Sequence, residues 1–110
     1  MCGIIGYIGK KNALSAVIEG LSKLEYRGYD SAGVAYQYNS NFKICKEKGR
    51  VIDLKKSLTD SHSNLAIGHT RWATHGEPSQ KNAHPHCSFH QRFILVHNGI
   101  IENYQKLKFE

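Results

Sequence analysis

The first nine residues place the tightest constraint on how this chain can fold. Cys2 directly follows the initiator methionine, and a short apolar run interrupted by Gly3, Gly6 and Gly9 comes after it. A run of this length that is rich in Ile and Tyr predicts a buried strand. Glycine in a strand gives up side-chain packing and marks a place where another backbone or a ligand comes close. The pattern therefore predicts a strand that supports a site built around the Cys2 thiol.

The position of Cys2 suggests a nucleophile. Removal of Met1, which a small second residue generally permits, would leave a thiol and a free α-amine on one residue. Such an amine has a pKa of about 7.7–8.0, so at physiological pH a fraction of the molecules has a neutral amine that can accept a proton. A thiol activated by its own N-terminal amine is an established catalytic solution, with the thiolate as the attacking species. The alternative is that Cys2 is an ordinary small residue in a strand.

Composition narrows the class of protein. The 110 residues suffice for one small domain, and no apolar run approaches the roughly 20 residues of a membrane span. The N-terminus lacks the basic leader of a signal peptide. Three cysteines without framework spacing fit a reducing compartment, so we expect a cytoplasmic protein with no membrane partner.

The charge balance is basic but dispersed. Lys and Arg number 15 against nine Asp and Glu, which gives a net charge of +6. A nucleic-acid-binding protein is one alternative that this balance leaves open. Because the basic residues are spread along the chain, we expect a solvated surface and no nucleic-acid partner.

Periodicity predicts an alternation of helices and strands. Asn12 is a candidate N-cap for a helix whose apolar residues recur at helical spacing to Leu24, and Gly28 is a candidate C-cap. A short helix is indicated by Val51, Leu54 and Leu58. The predicted strands are Ala32–Tyr38 and Phe42–Lys48, joined as a hairpin, and the buried strands Leu65–Gly68 and Phe93–Val96.

Two polar stretches could carry binding groups. Arg27 and Asp30 bracket a turn that is either a plain surface turn or a rigid loop aimed at a site. Residues 69–79 contain Arg71, which could grip a carboxylate through two parallel hydrogen bonds, and Trp72, which could close over a small ligand. The alternative for this second stretch is a core Trp beside a paired surface Arg.

Residues 82–90 suggest a metal at first sight. His84, His86, Cys87 and His90 are all of zinc-capable type. Their spacing matches neither a C-x-x-C pair nor the usual His pair with upstream cysteines, and adjacent ligands fit a tetrahedral site poorly. We therefore expect no metal, and a metal-binding module remains the weaker alternative.

The Asn98-Gly99 pair has two interpretations. Asn-Gly between apolar residues is a strong signal for a tight hairpin. The second arm would contain only Ile100 and Ile101 before polar residues begin, which is short for a hairpin. Alternatively, the Asn98 amide and the Gly99 N–H could form an oxyanion hole.

Four stretches together resemble the class II glutamine amidotransferases, which are N-terminal-nucleophile hydrolases. They are residues 2–6 (CGIIG), 26–33 (YRGYDSAG), 68–78 (GHTRWATHGEP) and 97–103 (HNGIIEN). Within that superfamily, the residues of the second and third stretches resemble the corresponding sequences of enzymes that deliver ammonia to fructose-6-phosphate. A class II amidotransferase with another acceptor is the nearest alternative.

The resemblance implies an α+β fold, a four-layer αββα sandwich of two antiparallel sheets. Residues 1–110 would be the N-terminal portion of the glutaminase domain. The rest of that domain, including an Asp for the glutamine amine, and a sugar-phosphate isomerase domain would lie outside this chain. The resemblance further implies glutamine as substrate, no cofactor, and a homo-oligomer for the full-length protein.

The resemblance also implies two groups of site residues. The catalytic group is Cys2, Asn98, Gly99 and Arg27. The glutamine-binding group is Arg71, Trp72, Thr74, His75 and Gly76. Cys2 would attack the side-chain amide, Asn98 and Gly99 would stabilise the oxyanion, and Arg27 would support the site. Arg71 would hold the substrate α-carboxylate, and Trp72 would help to gate ammonia.

Overall fold

The computed structural model describes residues 2–58, 62–72 and 79–109. In these ranges the strands are β1 Gly3–Ile8, β2 Ser31–Tyr38, β3 Asn41–Lys48, β4 Leu65–Arg71, β5 His86–Cys87 and β6 Ile94–Leu95. The helices are α1 Ala13–Leu24, α2 Val51–Ser57 and α3 Tyr104–Lys108, and a 3-10 turn covers Glu25–Arg27.

The main sheet is antiparallel with the strand order β1-β4-β2-β3. β4 lies between β1 and β2, so that Gly3 faces Thr70 and Gly33 faces His69 across the ladders. The predicted strand after Cys2 is therefore present, but the prediction that it is buried is wrong. It lies at one edge of the sheet, and Ile4 and Ile8 are 44% and 78% exposed. The predicted hairpin of β2 and β3 is also confirmed.

Helix α1 covers one face of this sheet. It begins at Ala13 because the Asn12 side chain accepts a hydrogen bond from the Leu14 N–H at 3.2 Å. Its apolar stripe packs on β4, where Gly68 lies directly beneath Val17 and Leu21. Each fully buried Leu or Val of this layer contributes roughly 1.5–3 kcal/mol to folding.

The opposite face of the sheet is covered by the segment that contains β5 and β6. Gly33 makes this contact possible, because a side chain there would run into the backbone carbonyl of His84. β5 and β6 form a second, two-stranded antiparallel sheet, with His86 opposite Leu95. The described residues thus form an α+β structure of a helical layer and two antiparallel sheets, which confirms the predicted fold class.

The structure corrects the predicted bounds of two elements. β4 continues to Arg71 instead of ending at Gly68, because β1 and β2 both extend their pairing along it. Gly28 does not cap α1 directly. Its N–H donates to the Glu25 carbonyl at 2.9 Å and so ends the 3-10 turn that follows the helix.

The prediction of a buried strand over Phe93–Val96 is wrong in length and in burial. β6 contains only two residues, and the side chains of Phe93 and Leu95 are 69% and 54% exposed. The reason is that β6 pairs only with the two residues of β5. Among the described helices, none is long and apolar enough to cross a bilayer.

Candidate active site around Cys2

The start of β1 places the Cys2 thiol beside the end of β4. The backbone N–H of Trp72 donates to the Cys2 sulfur at 3.2 Å, and the sulfur lies 3.6 Å from the Trp72 carbonyl oxygen. Cys2 is half-buried, so the thiol remains accessible. An N–H aimed at sulfur stabilises negative charge that develops there, as a nucleophilic thiolate requires.

Asn98 contacts both Cys2 and β4 of the main sheet. Its side-chain Nδ2 donates to the Cys2 carbonyl oxygen at 3.3 Å. Its Oδ1 lies 2.6 Å from the Nε2 atom of His69 on β4. The sequence predicts that Asn98 works with Cys2, and the fold brings these two residues together across nearly the whole length of the chain.

Gly99 adopts a backbone conformation that favours glycine, with φ of 139°. In the described residues no strand follows it, and the next regular element is α3. The hairpin interpretation of Asn98-Gly99 is therefore wrong. The pair instead forms an open bend beside the thiol.

A cavity of about 330 Å³ opens next to the thiol. Its volume lies at the lower end of the range for small-molecule sites, about 300–1,000 Å³. The lining residues are Cys2, His69, Arg71, Trp72, Asn82, His84, His86, His97, Gly99, Ile100, Ile101 and Tyr104. A larger cleft of about 620 Å³ lies between α1 and α2, but no predicted site residue lines it. We therefore assign the site to the smaller cavity, which holds the thiol.

Arg71 and Trp72 reach this cavity from the end of β4. Arg71 is 7% exposed, and its carbonyl oxygen accepts a hydrogen bond from the Asp30 N–H at 2.6 Å. The Trp72 side chain is half exposed, while its backbone N–H donates to the Cys2 sulfur. The alternative of a core Trp is therefore wrong, and a cation and an indole both line the cavity next to the thiol.

The remaining predicted residues are placed differently. Arg27 is half-buried in the 3-10 turn after α1 and is not among the residues that line the cavity. Thr74, His75 and Gly76 lie outside the described residues. The roles assigned to these four residues stay predictions.

A cluster of histidines beside the thiol was not predicted from the sequence. The His84 ring stacks on His69 at 4.3 Å between ring centroids, and the His86 ring meets His84 edge-on at 4.4 Å. The N–H of His97 donates to Nδ1 of His84 at 3.4 Å. The signal available was the density of histidines in residues 84–90, which include His84, His86 and His90.

The cluster does not form a metal site in the described part of the chain. No group of three or more His, Cys, Asp or Glu side chains is arranged there to hold an ion. Cys87 is exposed, and the ring of His84 packs against its two histidine neighbours.

Burial keeps the histidine cluster neutral. It lowers the pKa of His69 and of His86, and it lowers the pKa of His84 to about 3, with the neighbouring His69 as a smaller cause. Burial also lowers the pKa of Lys46, whose Nζ donates to the Ala83 carbonyl at 2.9 Å and lies 3.5 Å from Nδ1 of His86. A neutral cluster avoids placing further positive charge beside Arg71.

The neutral His84 predicts that this fold loses stability in acid. Its pKa is about 3 in the folded chain against 6.5 for an ordinary histidine. Between these values the unfolded chain binds a proton that the folded chain does not, so stability falls as the pH drops through this window and is unaffected above it. Hydrogen exchange of the β4 peptide in the complete protein, corrected for its intrinsic pH dependence, measures this local stability.

Two variants test the assignment to His84. His84→Gln keeps an acceptor for the His97 N–H but cannot titrate, so it should make the loss of protection below pH 6.5 less steep, and His69 and His86 account for the remaining loss. His62→Gln changes an exposed histidine and should leave the loss unchanged. An equally steep loss in His84→Gln would assign the acid sensitivity to another group.

The chain matches known proteins along nearly all of its length. A family model described as class II glutamine amidotransferases matches residues 33–109. A glutamine–fructose-6-phosphate aminotransferase (isomerizing) from Shouchella clausii is 58% identical over 98% of this chain and 18% of its own length. Proteins of the same name from Staphylococcus epidermidis and Listeria monocytogenes are 57% and 58% identical over 100% of this chain, and 19% and 18% of their own lengths. The chain thus spans less than a fifth of the curated relatives it matches.

Solved structures agree with the sequence matches. A glutamine phosphoribosylpyrophosphate amidotransferase from B. subtilis, complexed with ADP and GMP, superposes with a TM-score of 0.79 at 27% identity. A structure titled as the allosteric regulatory enzyme of purine biosynthesis superposes with a TM-score of 0.83 at 27% identity. Each superposition covers 99% of this chain and 24% of the other. With the family model matching well over half of its residues, this chain belongs to the class II glutamine amidotransferases.

Proposed function

We propose that this chain forms the nucleophile-bearing part of a glutaminase that hydrolyses glutamine through a thioester on Cys2. The observation that carries the proposal is the setting of the Cys2 sulfur. The sulfur accepts the Trp72 N–H at 3.2 Å, beside the Asn98 amide and a cavity lined by Gly99 and Arg71. A nucleophile, an amide donor and a cation converge there on a space that fits an amino acid.

The proposed reaction begins after removal of Met1. The free α-amine of Cys2 takes the thiol proton, and the sulfur attacks the carbon of the substrate's side-chain amide. The resulting oxyanion accepts hydrogen bonds from Asn98 Nδ2 and the Gly99 N–H. The α-ammonium returns the proton to the amide nitrogen, the carbon–nitrogen bond breaks and ammonia leaves. Water then attacks the thioester carbon, which releases glutamate and restores the thiol.

The other site residues would hold the substrate. Arg71, buried at the end of β4, binds the α-carboxylate, because a guanidinium matches a carboxylate with two parallel hydrogen bonds. Thr74, His75 and Gly76 line the same pocket in this proposal. Trp72 helps to gate ammonia, and Arg27 supports the site from the turn after α1.

The ammonia acceptor is proposed from the relatives. Proteins 56–58% identical to this chain are named glutamine–fructose-6-phosphate aminotransferases, so the ammonia would pass to fructose-6-phosphate and give glucosamine-6-phosphate. Residues 1–110 would be the N-terminal portion of the glutaminase domain. The complete protein would add the rest of that domain and a sugar-phosphate isomerase domain, and would act without a cofactor as a cytoplasmic homo-oligomer.

A second acceptor is possible within the same family, since the solved structures include an amidotransferase that acts with phosphoribosylpyrophosphate. Its identity to this chain is 27%, half that of the fructose-6-phosphate enzymes. We therefore favour fructose-6-phosphate. Glutamine-dependent amination of each sugar phosphate by the complete protein separates the two.

Trapping the thioester tests the proposed chemistry. The complete protein is mixed with glutamine, quenched in acid and digested, and the N-terminal peptide is examined by mass spectrometry. We expect this peptide to begin at Cys2 and to carry the mass of one γ-glutamyl group. The peptide that contains the exposed Cys87 serves as an internal control and should remain unmodified.

Two results of the trapping experiment would contradict the proposal. One is an N-terminal peptide that retains Met1 in protein that is fully active with glutamine. The other is a γ-glutamyl group found on Cys87 or Cys45 while Cys2 stays unmodified.

A further inference from the structure

We propose that His69 is a positioning residue for the oxyanion hole, and this inference rests on the proposed glutaminase function. In the proposal, the neutral imidazole carries its proton on Nε2 and donates it to Oδ1 of Asn98. That bond turns the Nδ2 side of the Asn98 amide toward Cys2. His69 acts through Asn98 and does not itself touch the reacting atoms.

The hydrogen bonds fix which atoms face each other. Asn98 Nδ2 donates to the Cys2 carbonyl oxygen at 3.3 Å, so Oδ1 must point the other way, toward His69. An amide oxygen only accepts, and therefore His69 Nε2 must be the donor of the 2.6 Å contact. In the described residues, no group completes a hydrogen bond with His69 Nδ1.

Asn98 needs such a partner because packing does not hold it. Asn98 is exposed, whereas His69 is fully buried. An exposed amide can rotate by half a turn and exchange its oxygen and nitrogen. A rotated amide would present a carbonyl oxygen to the developing oxyanion, and the two negative groups would repel each other. With its proton on Nε2, the buried imidazole disfavours this rotation, because Nε2 then donates and cannot accept a hydrogen bond from the amide nitrogen.

The surroundings of His69 keep it rigid and neutral. It is paired in β4 between Ile4 of β1 and Gly33 of β2, and His84 stacks on its ring at 4.3 Å. The charged or titratable groups that act on it are Arg71, His84 and His86, and none of them is an acid. The hydrogen bond to Asn98 and the nearby His97 backbone favour a charged ring, but burial outweighs them and lowers the His69 pKa.

Two substitutions of His69 distinguish the effect of its hydrogen-bond donor from the effect of the space that its ring fills. His69→Leu fills much of the same space without a donor. His69→Gln keeps an N–H₂ group near the position of Nε2. For glutamine hydrolysis by the complete protein we expect His69→Leu to lower kcat by about 10–100-fold, below the full cost of losing an oxyanion donor. Glutamine KM should change little, and His69→Gln should restore most of the kcat.

A double-mutant cycle with Asn98 tests whether His69 acts through that residue. Adding His69→Leu to Asn98→Ala should lower kcat no further, because the amide that His69 orients is already absent. His62→Leu, at an exposed site, is the matched control and should leave kcat unchanged. Loss of a purely structural residue would lower kcat in both backgrounds.

Several outcomes would overturn the inference. They are a normal kcat in His69→Leu, an equal loss in both backgrounds, or no recovery in His69→Gln. If His69→Leu does not fold, the ¹⁵N spectrum of the wild-type imidazole decides, since a neutral ring with its proton on Nδ1 contradicts the proposal.

Cys2→Ala in the same assay separates the hypotheses. An active Cys2→Ala protein would contradict the proposed glutaminase function itself. An inactive Cys2→Ala protein together with a normal kcat in His69→Leu would contradict only the role of His69.

Discussion

Replacing Cys2 with alanine is expected to abolish glutamine hydrolysis by the complete protein. The substitution removes the atom that would form the thioester and leaves the Trp72 N–H that now contacts it without an acceptor. Loss of the nucleophile in a hydrolase can lower kcat by up to roughly 10⁶-fold. Glutamate release from glutamine, followed over hours to capture slow turnover, is the measurement.

Two controls show whether the loss is chemical. Cys87→Ala removes an exposed thiol outside the cavity and should retain full activity. In the Cys2→Ala protein, external ammonium should still support amination of fructose-6-phosphate if the rest of the protein is intact. Undiminished glutamine hydrolysis by Cys2→Ala would remove the basis of the proposed mechanism.

Asn98→Ala is expected to lower kcat for glutamine hydrolysis by about 10²–10³-fold, which is the usual cost of one oxyanion-hole donor. The physical reason is that Nδ2 donates to the Cys2 carbonyl oxygen at 3.3 Å, which places a side-chain donor beside the nucleophile. Because the donor acts on charge that develops only during reaction, glutamine KM should change much less than kcat. Steady-state kinetics over a range of glutamine concentrations separates the two constants.

Asn103→Ala is the matched control for this prediction. Asn103 is an exposed residue five positions further along, and its side chain does not cap α3. Its substitution should leave both constants unchanged. Near-normal turnover in Asn98→Ala would contradict the oxyanion role and would mean that Asn98 has only a structural role in the bend.

The local elements of the fold could be predicted because each has a local cause. The Asn12 cap and the apolar stripe of α1 are both readable along the sequence, and the structure contains both. The C-terminal end of β4 was harder to predict from the sequence. Its extension to Arg71 depends on partners in β1 and β2, which are distant in sequence, and the polar residues His69 and Thr70 did not resemble a buried strand.

The candidate site shows the same division. Cys2, Asn98 and Arg71 stood out through their chemistry and through a family resemblance, and the fold brings them together around one thiol. The histidine cluster did not stand out as part of the site, because its geometry depends on one segment crossing the face of a sheet. That crossing is permitted by the missing side chain of Gly33, a contact with no signature in the sequence around His84.

The pairing of β4 between two neighbours has a consequence for how this site can change. Successive side chains of a strand point to opposite faces, so His69 points away from α1 only while the spacing along β4 is kept. Inserting or deleting one residue there would exchange the two faces and carry His69 into the apolar layer beneath α1. We therefore expect this part of the protein to tolerate substitutions but not changes of length, which the exposed turn between β2 and β3 can accommodate more easily.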